Sequence, residues 1–239
     1  MRAGPMNTRL LLSALAITGC AKTDSSDLLS TGIYAGISAK ATGDGTTSVN
    51  TALYVGNPLN LNFVDLTGDD QLVASYGNQE KVMTETTLLN IVSHHASFPT
   101  DNEGDQFQVA FERSIDDGAP NSIVTLPSKF TLDAAPTTSP RAANLSLTWS
   151  PIDSAPNVMR WEVSGDCIEN ESQILASDTG SLMIEANRIR KRMGETITDE
   201  CPMTITVTRG RPGQLDRGYG KGGTIEGQQI RKVMLTSTL

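Results

Sequence analysis

Hydrophobic and polar residues alternate along most of this chain, and a helical period is nearly absent. Residues 33–41 are apolar at every second position, and residues 107–111, 145–149 and 159–163 repeat the pattern. A period of two is typical of a half-buried strand. Strands that recur about every 8–12 residues between Gly, Asp and Asn turns are typical of an antiparallel sandwich or barrel. The pattern therefore predicts an all-β fold.

Two segments of the second half carry a more specific signal. Residues 144–151 (NLSLTWSP) and 159–165 (MRWEVSG) resemble the second and third strands of fibronectin type III and other immunoglobulin-like sandwiches. The resemblance implies that Trp149 and Trp161 face each other in a core between two sheets, where each ring fills a large share of the space. The cysteines do not follow the antibody pattern of Cys, Trp, Cys, so a true immunoglobulin domain is not implied.

Turn-forming residues at 116–120 (DDGAP) interrupt the strand pattern near the middle of the chain. We therefore predict two tandem antiparallel immunoglobulin-like β-sandwich domains, at residues 32–121 and 122–239. A single large sandwich is the alternative. Residues 20–31 are small and polar, and they are predicted to form a flexible tether ahead of the first domain.

The N-terminus reads as an export signal. Arg2 and Arg9 precede an apolar run at residues 10–17, which is too short to span a bilayer. Residues 17–20 (ITGC) resemble the lipobox of bacterial lipoproteins. The resemblance implies that residues 1–19 are a signal peptide and that Cys20 carries the lipid. Several acyl chains anchor a protein stably, so the membrane is an expected partner. An ordinary secretory signal with a coincidental cysteine is the alternative.

Ala21 follows the predicted lipidated cysteine, and in lipoproteins a residue other than Asp at that position implies the bacterial outer membrane. Whether the periplasmic or the outer surface is occupied stays open. Cys167 and Cys201 remain in an oxidising compartment, where a structural disulfide is the simplest prediction. Two free thiols or a redox pair are the alternatives, although a redox pair usually has the spacing C-x-x-C.

The net charge of −8 argues against nucleic acid as a partner, because binding phosphates needs a basic surface. The charge is unevenly distributed. Residues 20–123 hold 4 basic and 14 acidic side chains, whereas residues 124–239 hold 13 of each. The acidic first half would be repelled by an anionic bilayer, which favours an extended tether.

Candidate chemistry is sparse, and no cofactor is predicted with the exception of calcium. Asp101, Glu103 and Asp105 have the spacing of an EF-hand loop, but Gln106 stands where that loop needs glycine. Acidic turns at residues 65–70 and 116–117 would lie near these carboxylates at one end of a sandwich. Calcium is therefore a candidate ligand, with solvated loop carboxylates as the alternative.

The sequence contains none of the common hydrolase or zinc motifs, and neighbouring His94 and His95 point to opposite faces of a strand. We therefore predict a lipid-anchored cell-envelope β-sandwich protein that acts in binding, adhesion or structural support without catalysis. Its partner would be an envelope protein or a glycan. The alternative is an exported hydrolase or a carbohydrate-binding accessory protein.

Overall fold

The computed structural model describes residues 21–56, 62–192 and 200–238. Within these ranges the chain forms β-strands and two short 3-10 turns, and no α-helix. Every second residue is buried in long strands such as Ile33–Ala41 and Leu145–Ser150, because successive side chains of a strand point to opposite faces. The all-β prediction is confirmed.

The strands fall into two groups along the chain. The first group consists of β1 (Ala21–Asp24), β2 (Ile33–Ala41), β3 (Thr47–Val55), β4 (Asn62–Asp65), β5 (Gln71–Tyr76), β6 (Gln79–Val82), β7 (Thr84–Leu88), β8 (Ile91–Phe98), β9 (Gln106–Glu112) and β10 (Ala119–Thr125). The second group consists of β11 (Thr131–Leu132), β12 (Thr138–Pro140), β13 (Leu145–Ser150), β14 (Val158–Ser164), β15 (Glu171–Leu175), β16 (Ser181–Ile184), β17 (Cys201–Pro212) and β18 (Thr224–Thr238).

One large sheet, which we call the shared sheet, draws strands from both groups. Its strands lie side by side in the order β1, β4, β3, β2, β18, β17, β14 and β15, with β7, β8 and β12 paired at its margins. A second sheet contains β10, β9, β5 and β6, and a third contains β11, β13 and β16. The second and third sheets cover different parts of the same face of the shared sheet, so the molecule is a β-sandwich with two lobes. We call the part built around the four-stranded sheet the first lobe and the part built around the three-stranded sheet the second lobe.

Two hydrophobic clusters fill the space between the sheets. The first joins β2 and β3 to the four-stranded sheet and contains Leu53, Phe107 and Phe111. The second joins β14 and β17 to the three-stranded sheet and contains Trp149 and Trp161. The two tryptophans are 3% and 2% exposed, so their predicted position in one core is confirmed.

A disulfide joins Cys167, in the loop after β14, to Cys201 at the start of β17. The two Cα atoms are 6.0 Å apart and the residues are separated by 34 positions in the sequence. Cys201 is fully buried in the second hydrophobic cluster. The predicted pairing is confirmed, and the bond connects two neighbouring parts of the second lobe.

The division of the chain at residue 121 stays a prediction, and the two clusters show which segments pass from one lobe to the other. Val124, Tyr219 and Ile225 belong to the first cluster, although they follow the predicted boundary. Ile225 lies at the start of β18, and Leu235, near the end of the same strand, belongs to the second cluster. The C-terminal strand therefore runs through both lobes.

Three strand pairs are parallel, whereas the sequence pattern predicts antiparallel pairing. They are β1 with β4, β2 with β18 and β12 with β18. A parallel pair cannot be closed by a tight turn and needs a long connection. The connection between β2 and β18 comprises most of the polypeptide. The alternation of polar and apolar residues within one strand does not indicate whether a distant strand pairs with it in the parallel or the antiparallel direction.

The structure differs from the flexible tether that the sequence predicts at residues 20–31. Strand β1 pairs with β4 from Ala21 to Asp24, and Ser25 and Ser30 are buried. Small polar side chains fit closely against the first lobe, and a buried arginine described below binds the backbone carbonyls of this segment. The segment is therefore part of the first lobe.

Candidate functional site

One face of the shared sheet points away from both hydrophobic clusters. In the part of the chain that the structure describes, no second sheet covers it, and we call it the open face. A groove of about 620 Å³ lies on this face and is bounded by β3, β2, β18, β17 and β14. Its lining consists of hydroxyl, amide and charged side chains, and Ile230 is the one large aliphatic residue among them.

Strand register places the side chains of the groove in rows across the sheet. Glu162 lies beside Thr206, and Thr206 lies beside Lys232. Neighbouring strands are about 4.8 Å apart, so the three side chains form a short polar row. Trp161 and Val207, which alternate with them, are buried in the second cluster. The same alternation therefore builds the core and the groove.

Arg160, which lines the groove, forms an ion pair with Glu226 on β18. Nη1 of Arg160 donates to Oε1 of Glu226 at 3.1 Å, and Nε2 of Gln228 donates to Oε2 at 2.6 Å. Gly210 lies beneath the Glu226 carboxylate, where a Cβ atom would collide with it. The charges of Arg160 and Glu226 are therefore already paired with each other within the protein.

The groove has four other charged side chains, and one of them, Asp44, accepts hydrogen bonds from the hydroxyl groups of Thr42 and Thr46. Lys40, Glu162 and Lys232 form no ion pair with any described residue. They line the groove at positions from β2 to β14. They are therefore the groups that a ligand in the groove can reach with charged hydrogen bonds.

Two tyrosines lie on the open face closer to the start of β2. Tyr34 and Tyr54 are cross-strand partners on β2 and β3, and both are half-buried. The ring of Tyr54 lies 5.0 Å from that of Phe63, centroid to centroid, and burial raises the pKa of the Tyr54 hydroxyl. Tyr34 and Lys40 lie on the same face of β2 and are about 20 Å apart along the strand. The tyrosine rings and the groove are therefore two parts of one surface.

The carboxylates predicted to bind calcium have different surroundings in the structure. Nζ of Lys129 donates to Asp101 at 2.5 Å, the hydroxyl of Tyr76 donates to Asp105 at 3.1 Å, and Glu103 is exposed. No group of three His, Cys, Asp or Glu side chains among the described residues converges as a metal ion requires. Both aspartates form hydrogen bonds within the protein, and the calcium site stays a prediction.

The other acidic turns contact Arg113, a residue that the sequence pattern does not single out. Arg113, whose side chain is fully buried, donates from Nε to Oδ2 of Asp70 at 3.0 Å. Its other nitrogens donate to the carbonyl oxygens of Ser25 at 2.6 Å and Leu28 at 2.9 Å. The available signal was that Arg113 is one of only four basic residues between positions 20 and 123. It holds the N-terminal segment on the first lobe.

Asp116 completes this network. The backbone N–H of Ser30 donates to its Oδ2 at 2.6 Å and holds the pKa of the Asp116 carboxyl below its usual value. Nη1 of Arg113 lies 3.4 Å from the same oxygen. Asp70 and Asp116 of these acidic turns therefore hold the N-terminal segment on the first lobe.

The two histidines point to opposite faces of β8, as predicted. His94 is 3% exposed and His95 is exposed. Burial lowers the pKa of His94, and the nearby Glu85 carboxylate opposes that effect. His94 is therefore a neutral residue of the first lobe near pH 7.

The predicted signal peptide at residues 1–19 and the predicted lipidation site Cys20 lie outside the described residues. Ala21, the next residue, begins β1. Within the described ranges, no helix is long and apolar enough to cross a membrane.

Comparison with known proteins gives only distant structural similarity. No family model matches the chain, and no curated protein matches it. The structure of DIP-gamma IG1+IG2 is 8% identical, covers 85% of this chain and 95% of its own, and gives a TM-score of 0.24. The Bacteroides ovatus mixed-linkage glucan utilization locus protein SGBP-B, in complex with a mixed-linkage heptasaccharide, is 10% identical, covers 99% of this chain and 69% of its own, and gives a TM-score of 0.22.

Proposed function

We propose that this protein is a lipid-anchored binding protein of the bacterial cell envelope, without catalysis of its own, and that its open face binds a glycan. The observation that carries the proposal is the polar groove of about 620 Å³ on the shared sheet. Binding sites on β-sandwiches are set by the residues of a surface and not by the fold. The chemistry of this surface therefore decides the class of ligand.

The side chains of the groove suit a ligand rich in hydroxyl groups. Thr206, Thr208 and Gln228 offer both donors and acceptors, and Lys40 and Glu162 add charged groups that no described residue neutralises. A sugar polymer presents many hydroxyl groups and apolar ring faces. The groove supplies hydrogen bonds for the hydroxyl groups, and the rings of Tyr34 and Tyr54 lie further along the same face.

The envelope location rests on the sequence around Cys20 and on the disulfide. Residues 17–20 (ITGC) resemble a lipobox, and a structural disulfide between Cys167 and Cys201 fits an exported protein. We place the protein at the bacterial outer membrane, with the periplasmic or outer face as its working side. The acyl chains on Cys20 would hold it there.

Metabolic labelling with a fatty acid tests the anchor. We expect the wild-type chain to be labelled and the Cys20→Ala variant to carry no label, because the thiol of Cys20 is the acceptor. An Ala21→Ser variant is the matched control and keeps its label. Equal labelling of the wild type and Cys20→Ala would exclude the anchor.

Isothermal titration calorimetry with soluble peptidoglycan fragments and neutral gluco-oligosaccharides tests the groove. We expect Glu162→Gln and Lys232→Gln each to weaken binding by about 10-fold or more, because a hydrogen bond to a charged group contributes about 1.5–3 kcal/mol. Glu103→Gln, an exposed charge elsewhere in the first lobe, is the control and keeps the wild-type affinity. The glycan proposal fails if no oligosaccharide binds, or if both groove variants bind as the wild type does.

A further inference from the structure

The hairpin of β7 and β8 ends in exposed apolar side chains. Leu88, Leu89 and Ile91 are 68%, 83% and 45% exposed. All five residues of β7 are exposed, and β7 pairs only with β8 within the described chain. The hairpin tip therefore projects from the first lobe with its apolar side chains in solvent.

The backbone at the tip makes these side chains unusual. Leu89 has φ 51° and Asn90 has φ 65°, which is the left-handed conformation of a tight hairpin turn. Such turns favour Asn, Asp and Gly, and a leucine in this conformation is strained. Asn, Asp or Gly at this position would stabilise the turn better than leucine does. An exposed leucine in a strained conformation therefore points to a role other than the folding of the hairpin.

Strand directions place this tip at the end of the first lobe where the N-terminus emerges. Strand β8 is antiparallel to β3, so Ile91 lies near the Val55 end of β3. Strand β4 is also antiparallel to β3, and β1 runs parallel to β4, so Ala21 lies at the same end. Ile33 pairs with Val55 and marks this end on β2.

Two further exposed apolar residues lie at this end. Leu29 precedes Ile33 by four residues and is 67% exposed, and Ile115 is 61% exposed. Arg113, two residues before Ile115, donates to the carbonyl oxygen of Leu28, which brings the two loops together. We call the surface formed by Leu29, Leu88, Leu89, Ile91 and Ile115 the N-terminal pole.

We propose that the N-terminal pole contacts the lipid bilayer, with its apolar side chains among the acyl chains. This inference rests on the proposed anchor, because Cys20 directly precedes Ala21 and would place the acyl chains beside the pole. Strand β1 and Arg113 hold residues 21–32 on the lobe, so no long tether separates the body from the bilayer. The first half of the chain is acidic, so the contact is apolar and suits zwitterionic lipid.

Depth-dependent fluorescence quenching on vesicles tests the contact. The acylated full-length protein is reconstituted in phosphatidylcholine vesicles, with and without bromine atoms on the acyl chains, which quench tryptophan nearby. We compare Leu89→Trp and Ile115→Trp with the control Met234→Trp. Met234 is 81% exposed and lies on β18 about 33 Å from Thr224, in the second lobe. Trp149 and Trp161 are buried and give the same background in every variant.

We expect roughly half of the added emission of Leu89→Trp and Ile115→Trp to be quenched, because apolar side chains of interfacial segments lie about 5–10 Å deep at the boundary between headgroups and acyl chains. Met234→Trp keeps its emission. A triple variant, Leu88→Ser, Leu89→Trp and Ile91→Ser, weakens the quenching if the neighbouring side chains hold the tip in lipid. Because the tip is exposed, these variants are expected to keep the wild-type circular dichroism.

Other outcomes overturn the proposal in distinct ways. If fatty-acid labelling succeeds but no variant is quenched, the anchor stands and the bilayer contact is wrong. If Met234→Trp is quenched as strongly as Leu89→Trp, the molecule lies flat on the membrane and the pole has no special role. If the emission of Leu89→Trp changes with protein concentration and not with brominated lipid, a second copy of the chain covers the pole. Absence of label on Cys20 excludes the anchor itself.

Discussion

Replacing Arg209 with methionine is expected to lower the free energy of unfolding by about 3–5 kcal/mol, the usual effect of breaking a buried ion pair. The side chains of Arg209 and Asp178 are 0% and 2% exposed. Nη2 of Arg209 donates to Oδ2 of Asp178 at 2.5 Å. Methionine would leave the Asp178 carboxylate buried without its counter-ion, and that desolvated charge is the source of the loss.

The same guanidinium connects the segment between the lobes to the second lobe. Nη1 of Arg209 donates to the carbonyl oxygen of Ser128 at 3.0 Å, and Nη2 donates to that of Pro151 at 2.8 Å. The guanidinium lies 4.9 Å from the ring centroid of Phe130, on its face. Loss of Arg209 would therefore also free the chain that leads from β10 to β11.

Urea denaturation of the wild type and Arg209→Met measures the effect. Arg160→Met is the matched control, because it removes an arginine from the same sheet whose ion pair with Glu226 is partly exposed. Partly exposed pairs contribute about 0–1 kcal/mol. A double variant, Arg209→Met with Asp178→Leu, should recover part of the loss because no charge stays buried. Equal stability losses in Arg209→Met and Arg160→Met would contradict the assignment.

The parts of this fold that the sequence predicts are those that depend on local alternation. Residues 33–41 and 145–149 show which side chains enter a core. The resemblance of residues 144–151 and 159–165 to immunoglobulin-like strands implies that Trp149 and Trp161 share one core. The disulfide between Cys167 and Cys201 follows from the number of cysteines and the predicted compartment. In each case the information lies within one strand or one residue type.

The parts that the sequence does not predict depend on partners far apart in the chain. Strand β18 alternates as any strand does, and nothing in its pattern indicates that it pairs with β2 at one end and β17 along most of its length. The open face exists because the shared sheet continues through both lobes. A groove across β2, β18 and β14 is therefore a consequence of topology, which alternation leaves undetermined.

The N-terminal segment is a second part of the fold that the sequence pattern does not predict. Residues 21–31 contain few apolar side chains, so the hydrophobic pattern predicts a tether. Their order comes from backbone carbonyl oxygens, such as those of Ser25 and Leu28, and from Arg113, which lies more than eighty residues later. Carbonyl groups are present in every residue, so a sequence gives no sign of which ones a distant guanidinium binds.

Arg113→Met is accordingly expected to lower the free energy of unfolding by about 3–5 kcal/mol and to release the N-terminal segment. The side chains of Arg113 and Asp70 are 0% and 2% exposed, so the variant buries an unpaired carboxylate. It also leaves the carbonyl oxygens of Ser25 and Leu28 without their donor. Once residues 21–32 leave the lobe, the peptide bond after Lys22 becomes open to trypsin.

Release of the acylated protein from vesicles by trypsin measures this effect. Cleavage after Lys22 separates the body from Cys20, so the rate of release reports how often β1 leaves β4. We expect faster release for Arg113→Met than for the wild type. The control is Asp65→Asn, which removes the partly exposed partner of Lys22 and costs only about 0–1 kcal/mol. If Arg113→Met is released no faster than Asp65→Asn, Arg113 does not hold the segment.

Arg113→Met also tests whether the bilayer contact of the first lobe depends on an attached N-terminal segment. With β1 detached, the body would hang from the bilayer on a segment of about ten residues, and the N-terminal pole would no longer be held against lipid. Arg113→Met combined with Leu89→Trp should therefore lose quenching by brominated lipid while Cys20 keeps its acyl label. Unchanged quenching would mean that the apolar tip holds the body on the bilayer without Arg113.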